Sequence, residues 1–273
     1  MGIYQFERYG SKVLATEVHP SKAYGNTPAR FEITGIEPNR LPEVTSSDEK
    51  LVEVVHLSRK SATTCAFSLK VHAVPNGLAS AITITAVNVP RAAVTMAVTV
   101  LPELIIPKEN TDEGMMVRLF LAEVRGPLAP GYSESDSLLA MRWMRLVLEN
   151  RLKHNPKQFW APHAKTLTDV VKAQHKKRVQ FQGFSNYPDY VAKSANSIRV
   201  KAANDDNNRT GGKVRDFIEL AIGVAQGKEA IKDPSPAGRF LGGWQTENSP
   251  NTQGDGFEEV EAHGGNIFYS VEL

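Results

Sequence analysis

A single cysteine, Cys65, in 273 residues excludes an intrachain disulfide and a cysteine-based metal cluster. It lies in Thr64-Cys65-Ala66-Phe67-Ser68 and reads as a small buried apolar residue rather than a nucleophile. No uninterrupted apolar run of about 18 residues exists, so no transmembrane helix and no membrane insertion are expected. The opening Met1 to Arg8 has no basic segment followed by an apolar stretch, and no secretory leader is read there. Synthesis in the cytoplasm is therefore expected, and action at the periplasm or cell wall would need delivery by another system. No internal repeat is visible. No recognisable nucleic-acid motif is present either, which argues against a nucleic-acid partner. From Trp244 onward there are six acids and no Lys or Arg.

What is present is ordinary for a globular chain: 41% hydrophobic and 23% charged residues, enough for one large or two ordinary domains. The net charge of +2 is unevenly spread. Ten Lys and Arg against two acids fall between Ala140 and Gln180, which suits either an anionic partner or a solvated helix face. Residues 1–107 read as β: 51–57, 66–74, 81–87 and 93–100 alternate apolar and polar, with turn signals such as Pro75-Asn76-Gly77 between them. Their Val and Thr content predicts an all-β, sandwich-like domain. His56 and His72 in these strands read as structural. Residues 102–114 form the predicted linker.

From there the period becomes helical. Thr111 can cap a helix with Asp112 and Glu113 in its first turn, and Gly126-Pro127 ends it. Ser133-Glu134-Ser135-Asp136 is a capping-box pattern opening a helix apolar on most sides, expected to be the buried centre. Thr166-Leu167-Thr168-Asp169 starts a shorter helix, and 214–225 another that stops at Gly227. In the first of these helices Met116, Leu119, Phe120 and Glu123 share one face. A carboxyl held partly inside such a face resists ionising and can serve as a general acid near neutral pH. Alternatively, Glu123 sits at the margin and reaches water, Arg118 or Arg125.

Four fragments in order, Ala122-Glu123-Val124-Arg125-Gly126, Glu149-Asn150-Arg151, Thr168-Asp169-Val170-Val171 leading to Gln180-Phe181-Gln182-Gly183-Phe184, and Gly264-Gly265-Asn266-Ile267-Phe268-Tyr269, resemble the spore-cortex-lytic (SleB-type) cell-wall hydrolases. The resemblance covers residues 111–273. The second Glu of the family's E-A-R-G-E is Pro127 here. The His of its terminal motif is Asn266, with His263 three residues earlier.

The resemblance implies a mainly α, lysozyme-like domain of 111–273; with the β domain of 1–107 read from its alternating strands, an α+β protein of two domains is expected. It implies a lytic transglycosylase or muramidase that cleaves peptidoglycan glycan strands between N-acetylmuramic acid and N-acetylglucosamine without a cofactor or metal. Glu123 maps to the family's catalytic acid. A single-Glu route returns the same carboxylate as base on the muramic 6-hydroxyl. A lysozyme-like inverting route wants a second acid about 6.5–9.5 Å away, for which Glu134 and Asp136 are nearest in sequence. Both also fit ordinary helix capping. Gln180, Phe181, Phe184 and Tyr187 are candidates to line the sugar groove, with Phe181 and Phe184 equally suited to a core. Tyr269 either reaches the reacting sugar or holds a buried position. The biological settings this suggests are a phage lysis enzyme or an antibacterial effector of a secretion system. In these the β domain docks to the wall or the delivery apparatus, and an immunity protein protects the producer. The alternative is a non-catalytic wall-binding or structural component of such an apparatus.

Overall fold

A computed structural model of the chain describes residues 5–8, 11–12, 15–18, 29–72, 80–87, 93–154, 157–175, 178–184, 188–190, 192–205, 208, 210–227, 231–247 and 256–272. The chain is mixed α and β, with small sheets that are almost entirely antiparallel. Its contacts group into two compact units. One is Met1–Leu104 with Lys201–Gly212, and the other is Ile105–Val200 with Lys213–Leu273.

In the first unit the alternating segments become strands. These are β1 (Gln5–Arg8), β2 (Ser11–Lys12), β3 (Ala15–Val18), β4 (Ala29–Thr34), β5 (Glu43–Ser46), β6 (Val52–Ser61), β7 (Thr64–Val71), β8 (Ser80–Val87) and β9 (Ala93–Val100). They form a five-stranded sheet in the order β2-β1-β4-β7-β6 and a four-stranded sheet in the order β3-β9-β8-β5. One apolar cluster draws on both: Phe6, Phe31, Ile33 and Phe67 from the first, Ile84 and Met96 from the second. Phe31 stacks on Phe67 at 5.6 Å between ring centroids. Each such buried side chain contributes roughly 1.5–3 kcal/mol. Cys65 is fully buried in this cluster, as its apolar context implied. Asn204 belongs to this unit and ties down its end: its Oδ1 accepts from the Leu104 N–H at 2.8 Å and its Nδ2 donates to the Leu104 carbonyl at 2.9 Å.

The second unit opens with α1 (Asp112–Glu123), capped as expected by Thr111, whose hydroxyl accepts from Gly114 N at 3.1 Å. The long α2 (Glu134–His154) buries Trp143, Met144 and Val147 and is the central helix. α3 (Leu167–Lys172) begins with the reciprocal Thr166–Asp169 capping box. Asp112, in the first turn of α1, also accepts from Thr168 N and Oγ1 at 2.8 and 2.7 Å, so one carboxylate serves the starts of two helices. A short ladder of β10 (Gln174–His175) and β11 (Arg178–Val179) leads to a 3-10 turn at Gln182–Phe184.

α4 (Ala192–Ala203) and α5 (Gly211–Ala225) follow, then β12 (Arg239–Thr246), β13 (Glu258–His263) and β14 (Asn266–Glu272) in an antiparallel sheet ordered β12-β14-β13. Neither α4 nor this sheet is evident from the sequence pattern. The buried row of α4 is Ala192, Asn196 and Val200, too small and too polar to register as an apolar stripe. β12 is buried almost throughout, and Gly242-Gly243 interrupts what alternation it has. Among the described residues no helix is long and apolar enough to cross a membrane.

Candidate functional site

Glu123 is the last residue of α1, where four backbone carbonyls lack helical partners. The Val124 N–H meets the Phe120 carbonyl, and side chains from elsewhere in the unit meet two more. Asn266 Nδ2 donates to the Glu123 carbonyl at 2.9 Å, and Arg199 of α4 donates to the Leu121 carbonyl. A cation at a helix C-terminus also suits the helix dipole. Asn196, one turn before Arg199, donates to the Arg118 carbonyl at 3.2 Å. The helix end that carries Glu123 is thus clamped by α4 and by the start of β14.

The Glu123 side chain is half-buried and takes neither of its sequence-neighbouring cations. Arg118 donates to the Pro107 and Gly114 carbonyls, and Arg125 pairs with Glu247 at 2.9 Å. Instead, the carboxylate accepts from the Gly183 N–H at 3.3 Å and from the Trp244 indole. Burial pushes this carboxyl above the ordinary glutamate range; the two neutral donors pull it back only in part. The approach of the 3-10 turn requires glycine. A Cβ on Gly183 would lie 2.8 Å from the Ala122 Cβ and 3.2 Å from Glu123 Oε1.

Behind Trp244 is an aromatic and cationic layer. Phe181 stacks on Trp244 at 4.8 Å and 18°. The Arg151 guanidinium lies 4.7, 5.5 and 5.9 Å from the rings of Phe159, Phe181 and Trp244. Arg151 is buried and donates from Nε to the Gly242 carbonyl at 2.7 Å and from Nη1 to Gln180 Oε1. Gln180 Nε2 in turn donates to the Phe159 carbonyl. Burial lowers the Arg151 guanidinium to about 9, so it stays charged at neutral pH.

The hairpin joining β13 to β14 closes the far side. Gly264 and Gly265 both have positive φ, +57° and +83°, as a two-residue hairpin turn demands. Asp136 of α2 holds it: Oδ1 lies 2.7 Å from His263 Nδ1, and Oδ2 accepts from Gly264 N at 2.6 Å. Arg125 N donates to the Gly264 carbonyl at 2.9 Å.

The residues expected at the site therefore part company. Asp136 does not form the second half of a capping box. Ser133 Oγ accepts from its N–H at 3.4 Å, but its carboxylate turns to the hairpin. Glu134 is exposed in the first turn of α2; burial, and after it the charge of Glu134, raises the Tyr132 phenol. Phe181 and Phe184 are core residues, the latter stacked on Tyr190 at 4.7 Å. Tyr269 is buried in β14, and burial followed by the charge of Glu259 raises its hydroxyl. Gln180 joins Arg151 to Phe159, and Tyr187 lies outside the described residues. The pair that sequence reasoning missed is Trp244 and Gly183. Gly183 sits between Phe181 and Phe184, where a small residue flanked by two aromatics marks a close approach. Trp244 carries no comparable signal. Among the described residues no cluster of His, Cys, Asp and Glu is arranged to hold a metal ion.

The chain matches no protein-family model, no curated protein and no solved structure.

Proposed function

We propose that this protein degrades peptidoglycan, cleaving the β-1,4 bond between N-acetylmuramic acid and N-acetylglucosamine with Glu123 as the proton donor. The observation that carries the reading is the Glu123 carboxyl itself. Burial raises it above the ordinary glutamate range, and it faces two neutral donors, Gly183 N–H and Trp244 Nε1–H. In the neutral state it protonates the bridging oxygen as the C1–O bond breaks. The carboxylate left behind keeps both hydrogen bonds, and then takes the proton of the muramic 6-hydroxyl as that oxygen closes on C1. The product is a 1,6-anhydro end, and no second carboxylate is required. Asp136, engaged with His263 and Gly264, supports this single-acid route over a two-acid one.

A lysozyme-like character for the second unit is consistent with a carboxylic acid at a helix end beside a small antiparallel sheet. The β-rich unit serves in this reading as a wall-docking or delivery module of a phage lysis enzyme or a secreted antibacterial effector. An immunity protein is the natural partner in the second case.

One observation favours the alternative, a non-catalytic wall-binding component: Phe181 and Tyr269 are buried and Gln180 is engaged internally, which leaves few of the expected sugar contacts. One experiment separates the two. Purified peptidoglycan is digested with the wild-type chain and with Glu123→Gln, and the fragments are read by mass spectrometry. Anhydro-muropeptides from the wild type and none from the variant support the enzyme. Intact strands from both, with equal sedimentation on the wall, support the binder.

A further inference from the structure

Among the described residues Trp160 is the single exposed aromatic: every other Phe, Trp and Tyr there is buried or half-buried, whereas Trp160 is 41% exposed. Its backbone also lies in the left-handed region, at φ +57°, a genuine outlier for so bulky a side chain. Glycine adopts that conformation without strain. A tryptophan here bears the strain while leaving much of its surface in water. Strain of this kind collects at binding sites and ligand clamps.

The residues on either side fix the conformation. Phe159 and Ala161 are both buried. The Phe159 ring lies 4.7 Å from the Arg151 guanidinium and 6.3 Å from the Phe240 ring, and its carbonyl accepts from Gln180 Nε2. Turns close at both flanks, from Trp160 N to the Lys157 carbonyl at 3.1 Å and from Ala164 N to the Ala161 carbonyl at 3.0 Å. The loop thus presents its indole from a rigid seat, and Arg151, which also faces Trp244, connects that seat to the layer behind Glu123. The surroundings are cationic. No acid occurs between Glu149 and Asp169, and Lys153, Lys157, His163 and Lys165 are all exposed.

We infer that Trp160 is a platform for a sugar ring of the peptidoglycan strand, remote from the cleaved bond, with Lys157 and Lys165 meeting carboxylates of the strand's peptide substituents. The choice of polymer rests on the function proposed above. A fixed indole offers an apolar face and a polar N–H edge, which suit the C–H face of a pyranose and its hydroxyls. It supplies the sugar contact that the buried Phe181 and Tyr269 do not. A membrane surface would call for the broad apolar face of an amphipathic helix, and a single-stranded nucleic acid for several aromatics on which successive bases stack. This loop exposes one ring.

The test measures sedimentation of the full chain with purified sacculi, in a Glu123→Gln background so that retention does not depend on cleavage. Trp160→Gly relieves the φ strain and should leave Tm equal or higher while weakening retention about tenfold. Trp160→Phe keeps a ring and should recover most of the affinity. Lys157→Gln with Lys165→Gln should weaken retention at low salt and flatten its salt dependence. Should Trp160→Gly melt early, the Trp160 indole N–H resonance of the parent decides: movement on adding soluble strands supports the platform, and a fixed position overturns it. Equal retention of Trp160→Gly and the parent, no retention of either, or capture by phosphatidylglycerol vesicles or oligothymidylate in place of sacculi also overturns it. Wall cleavage by the wild type with Trp160-independent retention removes the platform alone. Trp160-dependent retention without cleavage keeps the platform and removes the enzyme.

Discussion

The indole N–H of Trp244, from β12, donates to the carboxylate of Glu123 at the end of α1. Trp244→Phe removes that donor and retains the stack on Phe181. The donor favours the charged carboxylate, so its loss raises Glu123 further. The alkaline limb of kcat/KM should move to higher pH, a shift read from the pH–rate profile of muropeptide release. An unmoved limb would show that Glu123 is not the group titrating in catalysis.

Glu123→Gln should reduce wall cleavage by about 10²–10⁴-fold, the range attributed to a positioned proton donor. The same change should stabilise the fold at neutral pH. A raised folded-state pKa means that the native chain holds this proton more tightly than the unfolded one. The resulting stability is fully present below the ordinary glutamate range and is lost as pH rises through the raised value. Glutamine does not titrate, so the variant escapes that loss. Melting curves across this interval should show its Tm above wild type on the alkaline side, with the gap closing in acid.

Gly183→Ala places a Cβ 2.8 Å from the Ala122 Cβ. The 3-10 turn must back away from α1, costing about 1–3 kcal/mol as overpacking generally does and withdrawing the Gly183 N–H from Glu123. Denaturant unfolding should report the loss of stability, and activity should fall more than stability alone accounts for.

Asp136→Ala unfastens the β13–β14 turn from α2. Asp136 is partly exposed, so the cost should be about 1–2 kcal/mol, below the full range for hydrogen bonds to charged groups. Amide exchange should accelerate at Gly264 first, ahead of the body of β14.

Arg151→Ala strips the cation from three aromatic rings and leaves the Gly242 carbonyl and Gln180 without their donor. A destabilisation of about 3 kcal/mol is expected. Arg151→Lys should recover part of it, since a lysine keeps the charge but not the planar fork. Chemical denaturation of the two variants side by side measures the difference.

The sequence made some of this arrangement legible and hid the rest for identifiable reasons. Strands β6 to β9 announce themselves by alternation, and α1 by the cap at Thr111 and the row ending in Glu123. These signals are local, and the structure keeps them. Asp136 misleads because Ser-x-x-Asp is sufficient for a capping box, while its actual partners, His263 and Gly264, lie more than a hundred residues away. Phe181 and Tyr269 look like sugar contacts only while their depth is unknown. Trp244 is invisible because a strand buried on both faces has no period to read, and α4 because its packing face is built from Ala and Asn. What pairs at long range, and what a small side chain is for, emerges only once the elements meet.

The clasp between Asn204 and Leu104 bears on how the protein can be dissected. The polypeptide visits the β-rich unit twice, first as Met1–Leu104 and again as Lys201–Gly212. A fragment stopping at the linker near residue 107 would leave behind the amide that meets both main-chain groups of Leu104. Expressing the halves separately therefore calls for grafting Lys201–Gly212 onto the N-terminal piece and bridging the gap it leaves in the other, rather than one cut.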